Sequence, residues 1–237
     1  MSLQRTRCVE VERDGGVAVV TMDDGKANAI GLELEQELAA AIRDSSDHGE
    51  ALVLAGRAGR FSGGYDMSTM MSGPGPAVDL MTRGAELLLQ LLSYPRPVVA
   101  ACTGHAVAAG AAVLLACDVR IGLEGPFKIG LNEVGIGLPL PSFVTTLASE
   151  RLDPRRLVVA TLGAEMFDPL GAMRAGYLDR VVTSDVVAAA TEEAQRLGAF
   201  PVEAYRLTKE SARRGLVDRL RVALGQDVEL VASLVGG

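Results

Sequence analysis

The sequence predicts an α/β domain of repeated ββα units, followed by a C-terminal region made of helices alone. Three observations carry this expectation. Two short apolar runs of buried-strand type, Ala51 to Ala55 and Val98 to Cys102, each follow a segment of helical period. Each run is followed by a glycine-containing turn. Beyond about residue 185 only helical periodicity remains, which divides the chain into a core at 1–185 and a helical region at 186–237, the latter expected to serve oligomerisation.

The elements follow in order. Val9 and Val11 alternate ahead of Asp14-Gly15-Gly16, and Val17 and Val19 follow it, a hairpin signal between β-branched runs. From Leu32 to Ile42 the positions Leu34, Leu38, Ala41 and Ile42 recur at helical spacing ahead of the strand at 51–55. Gly56 to Gly64, rich in Gly and Arg, reads as loop. Met67 to Met71 begins a helix that Gly73-Pro74-Gly75-Pro76 ends, and this tetrad reads as a mobile loop. Residues 77–93 return to helical period until Pro95 and Pro97 stop them before a buried parallel strand at 98–102. The turn Gly104 to Gly110 opens a small-residue helix, Ala111 to Cys117, and Val119 to Gly122 is a further strand. After Pro139 and Pro141 helix follows helix, one of them announced by Asp168-Pro169, an N-cap with Pro at the first helical position. Three amphipathic helices over 184–199, 202–214 and 216–234 close the chain, and the apolar faces from Leu216 to Leu234 suggest self-association.

Composition excludes several function classes. The 237 residues are 49% hydrophobic, enough for a sizeable core and against disorder. A formal charge of -7, with no cluster of Lys and Arg, argues against a nucleic-acid surface. Three cysteines without framework spacing, Cys8, Cys102 and Cys117, point to free thiols and a cytoplasmic location. The first ten residues lack an apolar core, so no signal peptide is expected, and the longest apolar stretch, Val98 to Ile121, is too polar for a membrane span.

His48 and His105 stand in no cluster with metal-ligand spacing, so no metal is expected. No G-x-S-x-G elbow, Walker loop or dinucleotide fingerprint is present. There remains the pair of turns, Phe61-Ser-Gly-Gly-Tyr-Asp66 and Gly104-His-Ala-Val-Ala-Ala-Gly110, each placed between a buried strand and a helix. Such turns expose backbone N–H groups at the positive end of a helix dipole. Two of them converging on one oxygen would form an oxyanion hole; taken alone, glycine turns after strands are usually turns and nothing more.

The order and wording of these turns resemble the crotonase superfamily, the enoyl-CoA hydratase and isomerase family. Phe61, Gly64 and Asp66 are similar to its F-x-x-G-x-D motif, and Val98 to Gly110 to its P-V-I-A-A-V-N-G-x-A-x-G-G-G. Gly25 to Ile30, Cys117-Asp118, Ile129 to Val134 and Ala175 to Val182 match further family segments, so the likeness runs from about residue 8 to about 220. It implies a crotonase-like spiral of ββα units with a helical C-terminal region, and an acyl-CoA thioester as substrate, with coenzyme A part of that substrate and no separate cofactor. It also implies that the amides of Tyr65 and Ala109 hold the thioester oxygen. Lys26 and Ala27 would lie near the adenine, and Gly63, Gly64, Gly110 and Ala112 would line the site. Lys26 is open to a second reading as a solvated turn residue. Asp66 opens the following helix and reads as a cap or turn stabiliser.

One departure matters. A typical hydratase of the family carries two glutamates; here the first position is Ala112, and only Glu133 remains. Syn hydration is served by two carboxylates that position one water, whereas a single carboxylate suffices to move a double bond from C3 to C2. The expectation is therefore an enoyl-CoA isomerase with Glu133 as base, its pKa raised by burial. The alternatives are a hydratase with a different second acid, or an acyl-CoA binding protein with little turnover. The Tyr65 phenol could be a second donor or a pocket wall, and His105 reads as packing against its turn. The family's usual trimer, or dimer of trimers, is the expected assembly.

Overall fold

The computed structural model describes residues 2–235. Its strands are β1 (Ser2–Arg5), β2 (Val9–Asp14), β3 (Val17–Met22), β4 (Ala29–Ile30), β5 (Ala51–Gly56), β6 (Gly59–Ser62), β7 (Gly64–Tyr65), β8 (Val98–Cys102), β9 (Gly104–Val107), β10 (Val119–Leu123), β11 (Ile129–Gly130) and β12 (Arg180–Val182). Its helices are α1 (Leu32–Asp47), α2 (Met67–Met70), α3 (Pro74–Leu92), α4 (Ala109–Ala116), α5 (Ser142–Arg151), α6 (Leu157–Thr161), α7 (Pro169–Ala175), α8 (Val186–Gly198) and α9 (Val202–Val235).

A seven-stranded sheet runs β1-β2-β3-β5-β8-β10-β12, antiparallel from β1 to β3 and parallel thereafter. The antiparallel start follows from Gly15 (φ 58°) and Gly16 (φ 78°), which supply the two positive-φ residues of a tight hairpin turn. Every residue of β5 and β8 is buried because helices cover both faces. Leu52, Leu54, Ala100 and Cys102 face the large core with α1, α3 and α4. The alternate residues Ala51, Val53, Ala55, Val99 and Ala101 face α8 through Val186, Ala190 and Ala194. A second, three-stranded parallel sheet, β11-β9-β6, and the short pair β4-β7 stand beside this sheet and carry the two turns.

Several expectations are corrected here. Gly73 to Pro76 is no loop: Gly73, at φ 143°, precedes α3, and Pro74 sits in its first turn, where a missing N–H costs nothing. The segment Gly56 to Gly64 contains β6 and the start of β7, and the second turn contains β9, with α4 starting at Ala109. The two helices expected over 202–234 are one continuous α9, because Gly215 falls inside an unbroken hydrogen-bonded helix. Leu216, Val217, Leu220 and Ala223 of α9 are buried in the chain's own core, so this part of the apolar face is already covered. The side chains of 230–234 lie outside the described residues.

Helix α9 is held to the sheet by Asp118. Its carboxylate accepts the Val98 N–H (2.8 Å) at the start of β8 and pairs with Lys209 (2.7 Å) and Arg213 (2.7 Å), while Tyr205 Oη lies 3.2 Å away. All of these charges are nearly buried, so each needs its partner. No helix among the described residues is long and apolar enough to cross a membrane.

Candidate active site

The two turns meet through their glycines. A Cβ placed on Gly64 would stand 2.9 Å from Ala108 Cβ, 3.0 Å from Val107 O and 3.6 Å from Ala109 N. A Cβ on Gly110 would reach Ser62 O at 2.6 Å and Ser62 Cβ at 2.8 Å. Backbones this close leave no room for a side chain, and Gly64 also holds φ 93°, where glycine is unstrained. Ala108, at φ 53° and ψ -123°, turns the chain sharply into α4 and leaves the amide of Ala109 at the helix N-terminus, without an intrahelical acceptor. In the β4-β7 pair, Ile30 O accepts from Asp66 N (3.1 Å), so the intervening Tyr65 N–H points away from β4. The Tyr65 and Ala109 N–H groups are thus left outside these backbone pairings.

The loop before β4 is tied to the first turn by a buried amide. Asn28 Nδ2 donates to Met22 O (2.8 Å), Arg60 O (3.0 Å) and Phe61 O (3.3 Å), and Ser62 Oγ donates to Asn28 O (2.8 Å). Gly63 N–H donates to Ala27 O (2.9 Å), so the exposed Gly63 and Ala27 form one edge of the site. Arg57 donates to the Lys26 carbonyl and brings a second cation beside Lys26. Sequence reasoning missed Arg57 and Asn28; the Arg-rich composition of Gly56 to Gly64 and the match over Gly25 to Ile30 were the available signals. Asp66 caps α2, accepting from Thr69 N (3.1 Å) and the hydroxyls of Ser68 and Thr69 (both 2.6 Å), and those hydroxyl bonds hold its carboxyl below the usual range. His105 accepts the Lys128 N–H (3.0 Å) and packs edge-on against Phe127 (5.5 Å).

Glu133 lies just beyond β11. Ala108 N–H donates to Gly130 O (2.9 Å), which fixes the segment leading to Glu133 against the second turn. The Glu133 Oε2 is buried with no hydrogen-bond partner among the described residues, and burial pushes its carboxyl above the usual range. Burial first and the charge of Glu133 second push the Tyr65 phenol upward; at Tyr177 burial raises the phenol most, a backbone hydrogen bond to Leu131 opposes it, and the charge of Glu133 adds a smaller upward push. Ala112 is fully buried on α4 and carries no acid. Glu35 of α1 is another carboxyl that burial raises and whose charge acts on Tyr65; Arg83 lies 3.8 Å from it. One set of potential metal ligands, Cys8, Glu33 and Glu37, occurs among the described residues. There Glu37 already accepts from Thr6 Oγ1 (2.6 Å) and Cys8 N (2.8 Å), and Glu33 pairs with Arg7 (3.0 Å).

The family pattern described as "Enoyl-CoA hydratase/isomerase" matches residues 12–236. The chain belongs to this family. Within the enoyl-CoA hydratase/isomerase family, the chain is 30% identical over 235 residues to human mitochondrial enoyl-CoA delta isomerase 1, covering 96% of this chain and 77% of that one. Among solved structures, an enoyl-CoA hydratase/isomerase family protein from Pseudomonas syringae superposes with a TM-score of 0.92 at 40% identity, covering 94% and 97% of the two chains. Human mitochondrial delta3-delta2-enoyl-CoA isomerase gives 0.91 at 29% identity, covering 97% and 92%. The fold is that of the crotonase superfamily and the protein is a crotonase-type enzyme.

Proposed function

We propose that the protein moves the double bond of a 3-enoyl-CoA to the 2-position, with Glu133 as the one base. The observation that carries this reading is the buried Oε2 of Glu133, unpartnered among the described residues, together with Ala112 where a second acid would stand on α4. Glu133 takes a proton from C2, the electron pair moves into the thioester oxygen, and the amides of Tyr65 and Ala109 stabilise the dienolate. Glu133 then returns the proton at C4. The N-terminus of α4 aims its dipole at the same oxygen. Lys26 with Arg57 supplies positive charge for the coenzyme, and Ala27, Gly63, Gly64 and Gly110 let it approach the main chain.

The test is conversion of 3-enoyl-CoA and 2-enoyl-CoA by purified protein. Turnover of neither, or unchanged turnover in Glu133→Gln, refutes the reading. A hydratase using Glu35 as second acid is the alternative, favoured by that carboxyl's burial near Tyr65. It requires that Glu35→Gln abolish water addition to 2-enoyl-CoA. An acyl-CoA binder with little turnover would show ester binding in calorimetry without conversion. The trimeric assembly, with the helical region 186–237 contributing contacts, belongs to the same proposal; a monomer by light scattering counts against it. The three unpaired cysteines fit a reducing cytoplasm.

A further inference from the structure

Tyr65 offers more than its amide. Its ring lies against α3 at Gly84, where an added Cβ would overlap the hydroxyl and stand 2.7 Å from Cε1 and 2.8 Å from Cζ. Glycine is a poor residue for a helix interior. Gly84 occupies such a position in the middle of α3, at the one place where the ring leaves no room for a side chain. The phenol and the helix are therefore fitted to each other. With its hydroxyl on α3, a ring's length from its own N–H, Tyr65 cannot be a second donor at the oxygen that this N–H faces. The ring is packed against the apolar core and lies within reach of the charge of Glu133. On the proposed reading, an acyl chain that runs from the thioester past Glu133 toward α3 would meet this ring.

We propose that Tyr65, seated on Gly84, is the wall that ends the acyl pocket and restricts the substrate to short acyl chains. This deepens the acyl-CoA reading above and rests on it. Removing the ring opens the space between the first turn and α3, and each added methylene that enters an apolar pocket is worth about four-fold in binding.

The experiment measures dissociation constants of hexanoyl-CoA and decanoyl-CoA by calorimetry, for wild type, Tyr65→Ala, Tyr65→Leu, Gly84→Ala and the double variant Tyr65→Ala/Gly84→Ala. Wild type is expected to favour hexanoyl-CoA. In Tyr65→Ala the preference shifts toward decanoyl-CoA by about ten-fold or more, with Tyr65→Leu, which keeps apolar packing, between the two. Gly84→Ala weakens both esters when Tyr65 is present, because the ring is driven into the pocket, and has no further effect once the ring is gone. An unchanged chain-length ratio in both Tyr65 variants overturns the proposal, as does equal weakening by Gly84→Ala in both backgrounds. Binding that follows this pattern without turnover of any 3-enoyl-CoA refutes the isomerase reading and leaves the wall standing. Absence of binding to either ester overturns both.

Discussion

Gly64→Ala tests whether the contact between the two turns sets the catalytic geometry. The new Cβ would stand 2.9 Å from Ala108 Cβ and 3.0 Å from Val107 O. Carbon contacts settle at about 3.5–4.0 Å, so the turns must separate by roughly 0.6–1 Å. A misplacement near 1 Å costs about 100-fold in rate, comparable with loss of one oxyanion donor. Stability falls as well, by about 1–2 kcal/mol for a Cβ at positive φ and about 1–3 kcal/mol for overpacking. Gly16→Ala is the control: Gly16 also has positive φ, 78°, but among the described residues no atom lies within 4 Å of its added Cβ, so it carries strain without displacement. The assay is kcat/KM on a 3-enoyl-CoA, together with thermal unfolding to fix a temperature at which every variant is folded. Activity of Gly64→Ala within about three-fold of Gly16→Ala refutes the reasoning, since the contact would then carry no catalytic geometry.

Three further substitutions probe the same site. Glu133→Gln lowers turnover by about 100- to 10,000-fold, the usual worth of a positioned base, while ester binding in calorimetry stays close to wild type. Folding raises this carboxyl, so the folded protein keeps the proton to higher pH than the unfolded chain. The stability this gives is complete below the unfolded value and is lost as pH rises through the folded one. Glu133→Gln should therefore melt higher than wild type at alkaline pH and converge with it in acid; the opposite order in a pH series of melting curves sinks the assignment. Ala108→Gly relieves a conformation that disfavours any side chain, and stabilises by about 1 kcal/mol in denaturant unfolding. Because Ala108 Cβ is the nearest atom to a Cβ at position 64, it also restores part of the Gly64→Ala loss. Asn28→Ala strands buried carbonyls of Met22 and Phe61 and lowers stability by about 2–4 kcal/mol in the same assay.

The main sheet is legible in the sequence because its signals are local. The hairpin glycines carry their own φ requirement, and β5 and β8 are apolar at every position because both faces are covered. The small strands β4, β6, β7, β9 and β11 are not, since two to four residues give no period and their pairing is between distant segments. Pro74 misleads because a proline marks the end of one helix and the first turn of another equally well, and only the placement of residues 77–92 decides between them. Motif order picks out the two turns and Glu133 as candidates. Their approach rests on Gly64 against Ala108 and on Gly110 against Ser62, contacts that no spacing announces. The fit of Tyr65 to Gly84 is equally hidden, since neither residue is unusual until the other is placed beside it.

The Asp118 junction makes one backbone proton a reporter of the whole C-terminal helix. The Val98 N–H is bonded to a carboxylate that Lys209 and Arg213 of α9 cover, so solvent deuterium reaches it only when α9 lifts or the sheet opens. Its exchange rate, followed against that of an amide deep in β5, separates detachment of the helix from global unfolding. A shortened chain lacking α9 would strand a nearly buried carboxylate at the head of β8, so the helix cannot be trimmed away without loosening the strand that leads into the second turn.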